Sequence, residues 1–417
     1  PLSYCKPYVR TPHYAKCIEN IEEWLLPMKR TNLAYLILPI GIVIAAFAFL
    51  PALWSTQAQG SDCAPQRFVN SWSNTDFCNA SIDFSEVLVG QVRDGIPAVD
   101  NPAMETVAEA ETWLVAQSPV IAIEIDGEAR AYPQAILMWH EIANDEIAGI
   151  PVAVTFCPLC NSSLVFDRRV GDDLLTFGVS GMLRNSDMIM FDRETETWWQ
   201  QFTGQGIAGD YNETFLDLIP SQVIGFAQFA EQYPDGLVMS RETGASRGYG
   251  VNPYNGLDDN ANGVIGLFNG QYDPRLPDRS RVLAVNIDDT FIAYPFGVLR
   301  DEIVINDTIS TSDVVAFWQP GVASALDTRI IDEGRDIGTA ALYSRMLEDG
   351  TVLTFAWDSA SNTLRDNETG STWNLFGEAI AGELEGEQLR LLIAAPHYWF
   401  AWAAFHPETV VYGSEIR

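Results

Sequence analysis

Two stretches of the chain decide the fold: VIAIEIDGEARAYP at residues 120–133 and VLAVNIDDTFIAYP at residues 282–295. In the first stretch, two short strand-like runs, 120–125 and 129–132, flank the turn dipeptide Asp126-Gly127. This pattern predicts a β-hairpin, because Asp-Gly between two such runs favours a tight turn. The second stretch repeats the first at an offset of 162 residues, which indicates an internal duplication.

The similarity continues beyond the hairpin. At the same offset, Asn144-Asp145 corresponds to Asn306-Asp307. FDRETETWWQQFTGQGIAG from Phe191 also resembles RDNETGSTWNLFGEAIAG from Arg365. We therefore expect two copies of one module, the second of them degenerate.

Short strands dominate the first expected copy. Further strands are predicted at 152–156, 164–170, 174–179 and 188–192, and helices at 106–117, 132–143 and 221–233. The expected organisation is an extracytoplasmic linker at 55–90, a first module at 90–245, a Gly/Asn/Asp-rich connector at 246–280 and a second module at 281–417. The predicted fold class is α+β and β-dominated, with one N-terminal transmembrane helix in addition.

The transmembrane prediction comes from an uncharged segment, Thr31 to Gly60. Its apolar part, 33–53, has about the 20 residues that a helix needs to cross the hydrocarbon core. Lys29 and Arg30 directly precede it, so the positive-inside rule places the N-terminus in the cytoplasm. We expect a cytoplasmic tail at 1–30, a single-pass helix at 31–54 and an extracytoplasmic body anchored to the cell membrane. A signal peptide is the alternative.

The same segment suggests partners. Gly41, Ala45 and Ala48 recur at three- and four-residue spacing, where small side chains let another helix pack closely. The expected partners are the lipid bilayer, through 33–53, and other transmembrane helices of a membrane complex. Nucleic acid is excluded, because 56 acidic against 24 basic residues give a net charge of −32, and phosphate binding requires cationic side chains.

Four cysteines follow the membrane segment. Cys63 and Cys78 are predicted to form a disulfide, which an oxidising compartment favours. Cys157 and Cys160 form the pair CPLC, and His140 precedes them by 17 residues. Three interpretations of this pair are open: a structural disulfide, a metal site and a thiol redox pair.

The metal interpretation depends on ligand types. Thiolate and imidazole ligands favour copper or zinc, and His140 could close the site from a neighbouring helix. A fourth ligand could come from Met182, Asp187 or His406. His397, in the aromatic segment HYWFAWAAFHP, is instead expected to be a packed core histidine with satisfied hydrogen bonds.

The second copy lacks these residue types. Glu302, Gln319 and Val322 stand there where the first copy has its imidazole and its two sulfurs. We therefore expect any chemistry of this site in the first copy.

A dense polar cluster is a second candidate, for an anionic or hydroxylated ligand. Its members are Arg184, Asn185, Asp187, Asp192 and Arg193. The alternative is a buried turn network with Arg–Asp pairs.

A calcium loop is a third candidate. Asp258, Asn260 and Asn262, followed by Gly263, match the first half of such a loop. Position twelve is Asn269 rather than a bidentate Glu, so a solvated turn is the alternative.

Several long motifs resemble the domain-of-unknown-function 3179 family. They are WHEIAND at 139–145, VTFCPLCNSSLVFDR at 154–168, GVSGMLRNSDMIMFDRETETWWQQFTGQGIAG at 178–209, NPYNGLDDNANGVIGLFNGQYDPRLPDRSRVLAV at 252–285 and HYWFAWAAFHPET at 397–409. The resemblance covers roughly residues 90–417 and implies an exported or membrane-anchored protein, without implying a reaction. The motif positions that match are His140, Glu141, Cys157, Cys160, Arg184, Asn185, Ser186, Asp187, Asp192 and Arg193.

Two functions from different classes follow. The first is a non-catalytic, membrane-anchored extracytoplasmic accessory or binding subunit of a larger membrane complex. The second is a metal- or thiol-dependent redox enzyme centred on His140, Cys157 and Cys160.

Overall fold

The computed structural model describes residues 63–262 and 267–414. The predicted cytoplasmic tail and transmembrane helix, at 1–54, lie outside the described residues. None of the helices within the described ranges combines the length and the apolar character that crossing a bilayer requires.

Strands account for most of the regular structure in the described part of the chain. Those before residue 262 are Val87–Val89 (β1), Val99–Asp100 (β2), Met104–Thr106 (β3), Pro119–Ile125 (β4), Glu128–Pro133 (β5), Ile142–Ile147 (β6), Ile150–Cys157 (β7), Ser162–Asp167 (β8), Arg169–Val170 (β9), Asp173–Leu174 (β10), Phe177–Arg184 (β11), Asp187–Asp192 (β12), Trp198–Gln200 (β13), Gln205–Ala208 (β14), Gln222–Gly225 (β15) and Leu237–Met239 (β16). Those after residue 267 are Arg281–Ile287 (β17), Thr290–Pro295 (β18), Val304–Ile309 (β19), Ser312–Gln319 (β20), Thr339–Ser344 (β21), Phe355–Asp358 (β22), Thr363–Asp366 (β23), Thr372–Trp373 (β24), Ala379–Ala381 (β25), Ala394–Tyr398 (β26) and Val410–Val411 (β27).

The described α-helices are all short. They are Gln66–Ser71 (α1), Val107–Ala110 (α2), Gln134–His140 (α3), Phe226–Gln232 (α4), Phe296–Glu302 (α5) and Trp399–Phe405 (α6). The prediction of a β-dominated fold is therefore confirmed.

The hairpin predicted around Asp126-Gly127 is present. Strands β4 and β5 pair antiparallel with Val120 opposite Pro133, and the two turn residues have φ angles of 49° and 83°. Positive φ at both positions is the requirement of a type I′ turn, which matches the twist of the strands. Strands β17 and β18 pair in the same register, with Val282 opposite Pro295.

The strands form several sheets in both halves of the chain. The first half contains the orders β15-β4-β5-β16-β3, β2-β6-β7-β8 and β1-β11-β12-β13-β14, with a separate β10-β9 pair. The second half contains β26-β17-β18-β27, β19-β20-β21 and β22-β23-β24-β25. In both halves a central hairpin is flanked by one antiparallel strand and one parallel strand.

All three predicted helices are shorter than expected. The helix predicted at 132–143 spans only α3, because the residues on either side of it belong to β5 and β6. The helix predicted at 106–117 stops after Ala110, although a capping box between Thr106 and Glu109 starts it. The chain then continues in turns, as Thr112 and Trp113 donate to carbonyls three residues back. The helix predicted at 221–233 begins only at α4, because the β-branched residues before it pair with β4.

The predicted disulfide between Cys63 and Cys78 is confirmed. It lies beside an aromatic cluster in which Phe68 and Phe77 pack edge-on against the buried Trp198, at ring distances of 5.1 and 5.0 Å. The disulfide thereby holds the start of the described chain against the sheet formed by β11–β14.

Candidate metal centre

The CPLC segment is the turn between β7 and β8. Cys157 pairs with Ser162 across the two strands, and the turn closes with the Asn161 N–H donating to the Pro158 carbonyl at 3.2 Å. Asn161 has a φ of 51°, a left-handed conformation that asparagine tolerates. Both cysteines are buried, Cys157 with 1% and Cys160 with 0% of its surface exposed.

The two cysteines are free thiols, so the interpretation as a structural disulfide is wrong for this structure. Their sulfurs are directed toward oxygen atoms. Sγ of Cys157 lies 3.7 Å from the Ser186 carbonyl oxygen, and Sγ of Cys160 lies 3.1 Å from Oδ1 of Asp187.

Asp187 stands at the tip of the hairpin formed by β11 and β12. Arg184 pairs with Asp187, and Asn185 and Ser186 between them have φ angles of 53° and 65°, as a two-residue type I′ turn requires. The turn places the Asp187 carboxylate inside the protein, where it is 0% exposed.

Cys157, Cys160 and Asp187 form one group of potential ligands. Their sulfur and carboxylate oxygen atoms all lie within 4.8 Å of one another. Oδ2 of Asp187 accepts hydrogen bonds from the Gln200 side chain at 2.6 Å and from the Phe202 N–H at 2.8 Å. These two donors fix the carboxylate, and Oδ1 is left facing the thiols.

Burial dominates the electrostatics of this group. It raises the pKa of both thiols, that of Cys160 well above its usual value, and it raises the pKa of Asp187 to about 6. In the absence of a cation the thiols therefore hold their protons. A metal ion would displace these protons, because thiolates are the ligands that it binds.

Glu141 adds a second buried carboxyl group to this region. Burial and the nearby charge of Asp187 raise its pKa to about 8. Within the described part of the chain, its carboxylate has neither a hydrogen bond nor an ion pair in this structure. The position is fixed by the backbone: Glu141 ends α3 with a φ of 58°, its N–H donates to Leu137 at 2.7 Å and its carbonyl accepts from Phe156 at 2.8 Å.

His140 does not join the group of ligands. Its Nδ1 lies 2.7 Å from the Pro97 carbonyl oxygen and its Nε2 lies 2.7 Å from the Tyr249 hydroxyl. The prediction that His140 closes the site is therefore not supported. The left-handed conformation of Glu141 explains the difference, because it ends the helix directly after His140. As a result, the side chain that interacts electrostatically with Asp187 is that of Glu141.

The other two proposed fourth ligands also lie elsewhere. Met182 packs in the aromatic cluster of the disulfide region. His406 stacks on Phe291 at 4.4 Å and lies beside Trp402 at 4.5 Å. Of the candidates named from the sequence, Asp187 alone stands with the two sulfurs.

His397 is a residue whose environment the sequence did not reveal. It is buried, as expected, but its Nδ1 has no hydrogen-bond partner among the described residues. The ring packs on Phe202 at 4.5 Å, and the next residue, Tyr398, donates its N–H to the Cys160 carbonyl at 3.0 Å. Burial lowers the pKa of His397 to about 3, so the imidazole is neutral and able to accept a hydrogen bond or to bind a metal.

Further polar atoms close to this group in the fold are unpaired. Those in the described structure are Ser162 Oγ, Ser186 Oγ, Gln200 Oε1 and Gln201 Oε1. Ser162 pairs with Cys157, Ser186 precedes Asp187, and Gln200 binds it. Buried polar atoms without partners are uncommon in proteins, and a bound ion or an ordered water often satisfies them. The donor set and its surroundings therefore suit a bound metal.

The predicted ligand-binding cluster is divided between separate places. Arg184 pairs with Glu86 at 2.6 Å, whereas Arg193 pairs with Asp100 at 2.9 Å. Asp192 accepts hydrogen bonds from a neighbouring turn. Arg184 and Arg193 lie beyond opposite ends of β12, which has six residues. Because a strand rises about 3.3 Å per residue, the two arginines are far apart. The two arginines of the cluster thus form separate ion pairs, and Asn185 is a residue of the turn between β11 and β12.

The structure does not support the calcium interpretation at Asp258. This carboxylate is fully buried and pairs with Arg281 at 2.6 Å, and it also accepts hydrogen bonds from two hydroxyl groups. Burial raises the pKa of Asp258, but the Arg281 charge and these hydrogen bonds outweigh it and hold the pKa below its ordinary value. Oδ1 of Asn260 accepts from the Arg279 N–H at 2.9 Å. The side chain of Asn262 is outside the described residues.

Comparisons with known proteins agree with the motifs. A family model described as a protein of unknown function, DUF3179, matches residues 93–409. Neither the curated proteins nor the solved structures gave a match. The matched region contains the whole Cys157, Cys160 and Asp187 group and most of the chain, and the chain therefore belongs to the DUF3179 family.

Proposed function

We propose that this chain is a membrane-anchored, extracytoplasmic metal-binding protein whose metal ion is held by Cys157, Cys160 and Asp187. The observation that carries the proposal is the convergence of three ligand atoms within 4.8 Å in a fully buried place. The ligands come from two different hairpins, so the fold itself brings them together. Burial on this scale disfavours a site that receives large substrates.

Zinc fits this ligand set better than copper(I). Two thiolates and one carboxylate carry three negative charges once the metal has displaced their protons. A divalent ion leaves a net charge of −1 in the buried site, whereas a monovalent ion leaves −2. The divalent ion is therefore favoured, because uncompensated buried charge is costly. Zinc also accepts sulfur and carboxylate oxygen together.

A thiol redox function is less well supported. Thiol exchange needs an accessible thiolate, whereas Cys157 and Cys160 are buried and their pKa values are raised by burial. Their side chains also face Ser186 and Asp187. These observations favour metal binding over electron transfer by the cysteine pair.

The location is part of the proposal. The Cys63–Cys78 disulfide supports an oxidising compartment for the body, which agrees with the orientation expected for a helix at 31–54. The role as a binding subunit of a membrane complex, assembled through Gly41, Ala45 and Ala48, remains a proposal that rests on the sequence.

We also propose that the two halves are copies of one module. The shared register of β4–β5 and β17–β18 supports this, as do matching side-chain contacts. Asn144 bonds both backbone polar groups of Phe177, at 2.9 and 2.8 Å, and Asn306 bonds both of Phe355, at 2.8 Å each.

A buried arginine repeats in the same way. Arg168 donates to the carbonyls of Leu175 and Asp145. Arg345 donates to those of Leu353 and Asp307. Contacts this specific are expected when two segments share a common origin.

The metal content of the full chain tests the main proposal. We expect one zinc ion per chain, measured by inductively coupled plasma mass spectrometry after purification in detergent. Cys157→Ser with Cys160→Ser should lose the ion. The matched control, Cys63→Ser with Cys78→Ser, should keep the ion. These two cysteines form a disulfide and are not part of the ligand group. Wild-type protein that holds no metal after dialysis against zinc would overturn the proposal.

A separate experiment tests the topology. Single cysteines introduced on the exposed surface of the body should react with a membrane-impermeant maleimide in intact cells. The native Cys157 and Cys160 should stay unlabelled, because both are buried. Labelling only after lysis would place the body in the cytoplasm and contradict the expected orientation.

A further inference from the structure

A cavity of about 630 Å³ is lined by residues of α4 and of the second half of the chain, and the CPLC turn is not part of its wall. Aromatic rings form much of its wall, from Trp318, Trp357, Trp373 and Phe376. Trp318, Trp357 and Phe376 are half-buried, so part of each ring is accessible from the cavity. The size is that of a site for a small molecule.

The cavity occupies the place that corresponds to the candidate metal centre. Ile303 ends α5 with a φ of 65° and accepts the Trp318 N–H at 2.9 Å, as Glu141 ends α3 and accepts the Phe156 N–H. Ile303 and Trp318 both line the cavity. Gln319 lines it too, at the position that Cys157 has in the first half.

A shorter hairpin explains why this place is open. In the first half, β11 and β12 extend to the tip that carries Asp187 and reaches Cys160. The corresponding strands β22 and β23 have only four residues each, against eight and six. The tip residues Asn362 and Thr363 of this shorter hairpin line the cavity, and neither carries a carboxylate as Asp187 does.

The polar groups of the wall are mostly engaged already. The Gln228 amide accepts from Gly225 and donates to Pro320. The Gln232 amide donates to Glu378 at 3.0 Å, and the Asn374 amide donates to both of these residues. Few amide N–H groups are therefore free to bind the hydroxyls of a sugar.

The charged and aromatic side chains of the cavity wall favour a cationic ligand. Glu231 and Glu378 line the cavity, and its wall contains no lysine, arginine or histidine among the described residues. Oε1 of Glu378 has no hydrogen bond in the described structure. Aromatic faces attract cations, tryptophan most strongly. The net charge of −32 raises the local concentration of small cations around the protein.

We propose that this cavity binds a small organic cation of the alkylammonium class, held between the rings of Trp318, Trp357 and Phe376 and the carboxylate of Glu378. This site is independent of the metal centre. The four side chains that hold the ligand belong to the second half of the chain, which lacks the cysteines of the first half.

Choline and its uncharged isostere 3,3-dimethyl-1-butanol test the proposal, because they differ only in the charged atom. Isothermal titration of the full chain in detergent should show saturable binding of choline. We expect the isostere to bind at least tenfold more weakly, since it keeps the shape and loses the cation–π attraction. Equal binding of the two, or tighter binding of methyl β-D-glucoside, would overturn the proposal, as would no binding of choline.

Variants locate the binding in this cavity. Glu378→Gln keeps an oxygen for Gln232 and Asn374 but removes the charge, and Trp357→Ala removes one ring. Each should weaken choline binding at least tenfold. The matched control Glu383→Gln removes an exposed carboxylate outside the cavity and should leave binding unchanged. Equal affinity in Glu378→Gln and wild type would place the binding elsewhere and overturn the proposal.

Discussion

Sγ of Cys160 lies 3.1 Å from Oδ1 of Asp187, although 27 residues separate them in the chain. The contact joins the CPLC turn to the tip of another hairpin. Because Gln200 and Phe202 hold the other carboxylate oxygen, the oxygen that faces the sulfur cannot rotate away without losing two hydrogen bonds. The ligand set is therefore preorganised, which reduces the ordering cost of binding a metal.

The first prediction concerns this carboxylate. Asp187→Asn should weaken zinc binding by more than about tenfold, since even partners outside the ligand set commonly contribute that much to metal affinity. An asparagine oxygen can still accept from Gln200 and Phe202, so the fold should be retained. Competition with a chromophoric chelator measures the affinity. Asp192→Asn is the control, and an equal loss of affinity in both variants would contradict a ligand role for Asp187.

The second prediction concerns pH and Glu141 in the metal-free protein. Its pKa is about 8 in the folded chain, against an ordinary value of 4.5. Between these values the unfolded chain has released the proton while the folded chain keeps it. The free energy of unfolding should therefore fall as the pH rises through this window, by up to about 1.4 kcal/mol per pH unit.

Glu141→Gln cannot ionise, so it should remove this pH dependence. We expect the variant to exceed the wild type in stability by more at pH 8 than at pH 5, measured by urea unfolding with metal excluded. Glu146→Gln is the matched control, because its side chain is exposed and it lies in β6, five residues after Glu141. Parallel pH profiles for the Glu141 variant and the wild type would show that the carboxyl is not held protonated.

Local chemistry made much of the fold predictable. The turn dipeptide Asp126-Gly127 and the strand-like runs on either side of it identify the central hairpin, because both depend on neighbouring residues only. The helix expected at 106–117 failed for the opposite reason. Its capping box at Thr106 and Glu109 is a genuine start signal, but the length of a helix depends on the surface against which it packs, and that surface comes from distant strands.

The site was predictable in part. The cysteine pair is visible in the sequence, and Asp187 was among the possible ligands. The orientation of His140 and Glu141 was not predictable, because it depends on a left-handed residue at the end of α3 that is not a glycine. One backbone position thus decides which of two adjacent side chains interacts electrostatically with Asp187 and Cys157 and which bonds to Tyr249.

The third prediction concerns the buried Asp258–Arg281 pair. Asp258→Asn should lower the free energy of unfolding by about 3–5 kcal/mol, because it leaves the guanidinium buried without its counter-charge. Denaturant unfolding should give the same loss with calcium and with chelator. Asp259→Asn, at an exposed neighbour, should have a small effect. A calcium-dependent stabilisation that is present in wild type and absent from Asp258→Asn would restore the cation-site interpretation.

The fourth prediction compares two buried carboxylates, Asp192 and Asp366, that accept the same set of hydrogen bonds. Asp192 accepts the indole N–H of Trp199 at 2.9 Å and the N–H of Thr195 at 2.6 Å. Asp366 accepts the indole N–H of Trp373 at 2.9 Å, and the same kind of turn follows it. Each carboxylate thereby ties a turn to a buried tryptophan in the next strand.

Replacing either carboxylate by alanine removes two or more hydrogen bonds to a charged group and leaves an indole N–H buried without a partner. Asp192→Ala and Asp366→Ala should each cost about 2–3 kcal/mol in denaturant unfolding. Asp358→Ala, at a more exposed turn in the second half, should cost much less. Because the contacts match pair for pair, the two losses should agree closely. A large loss at Asp192 with none at Asp366 would mean that the second half tolerates the missing cap, and it would count against two modules built on the same interactions.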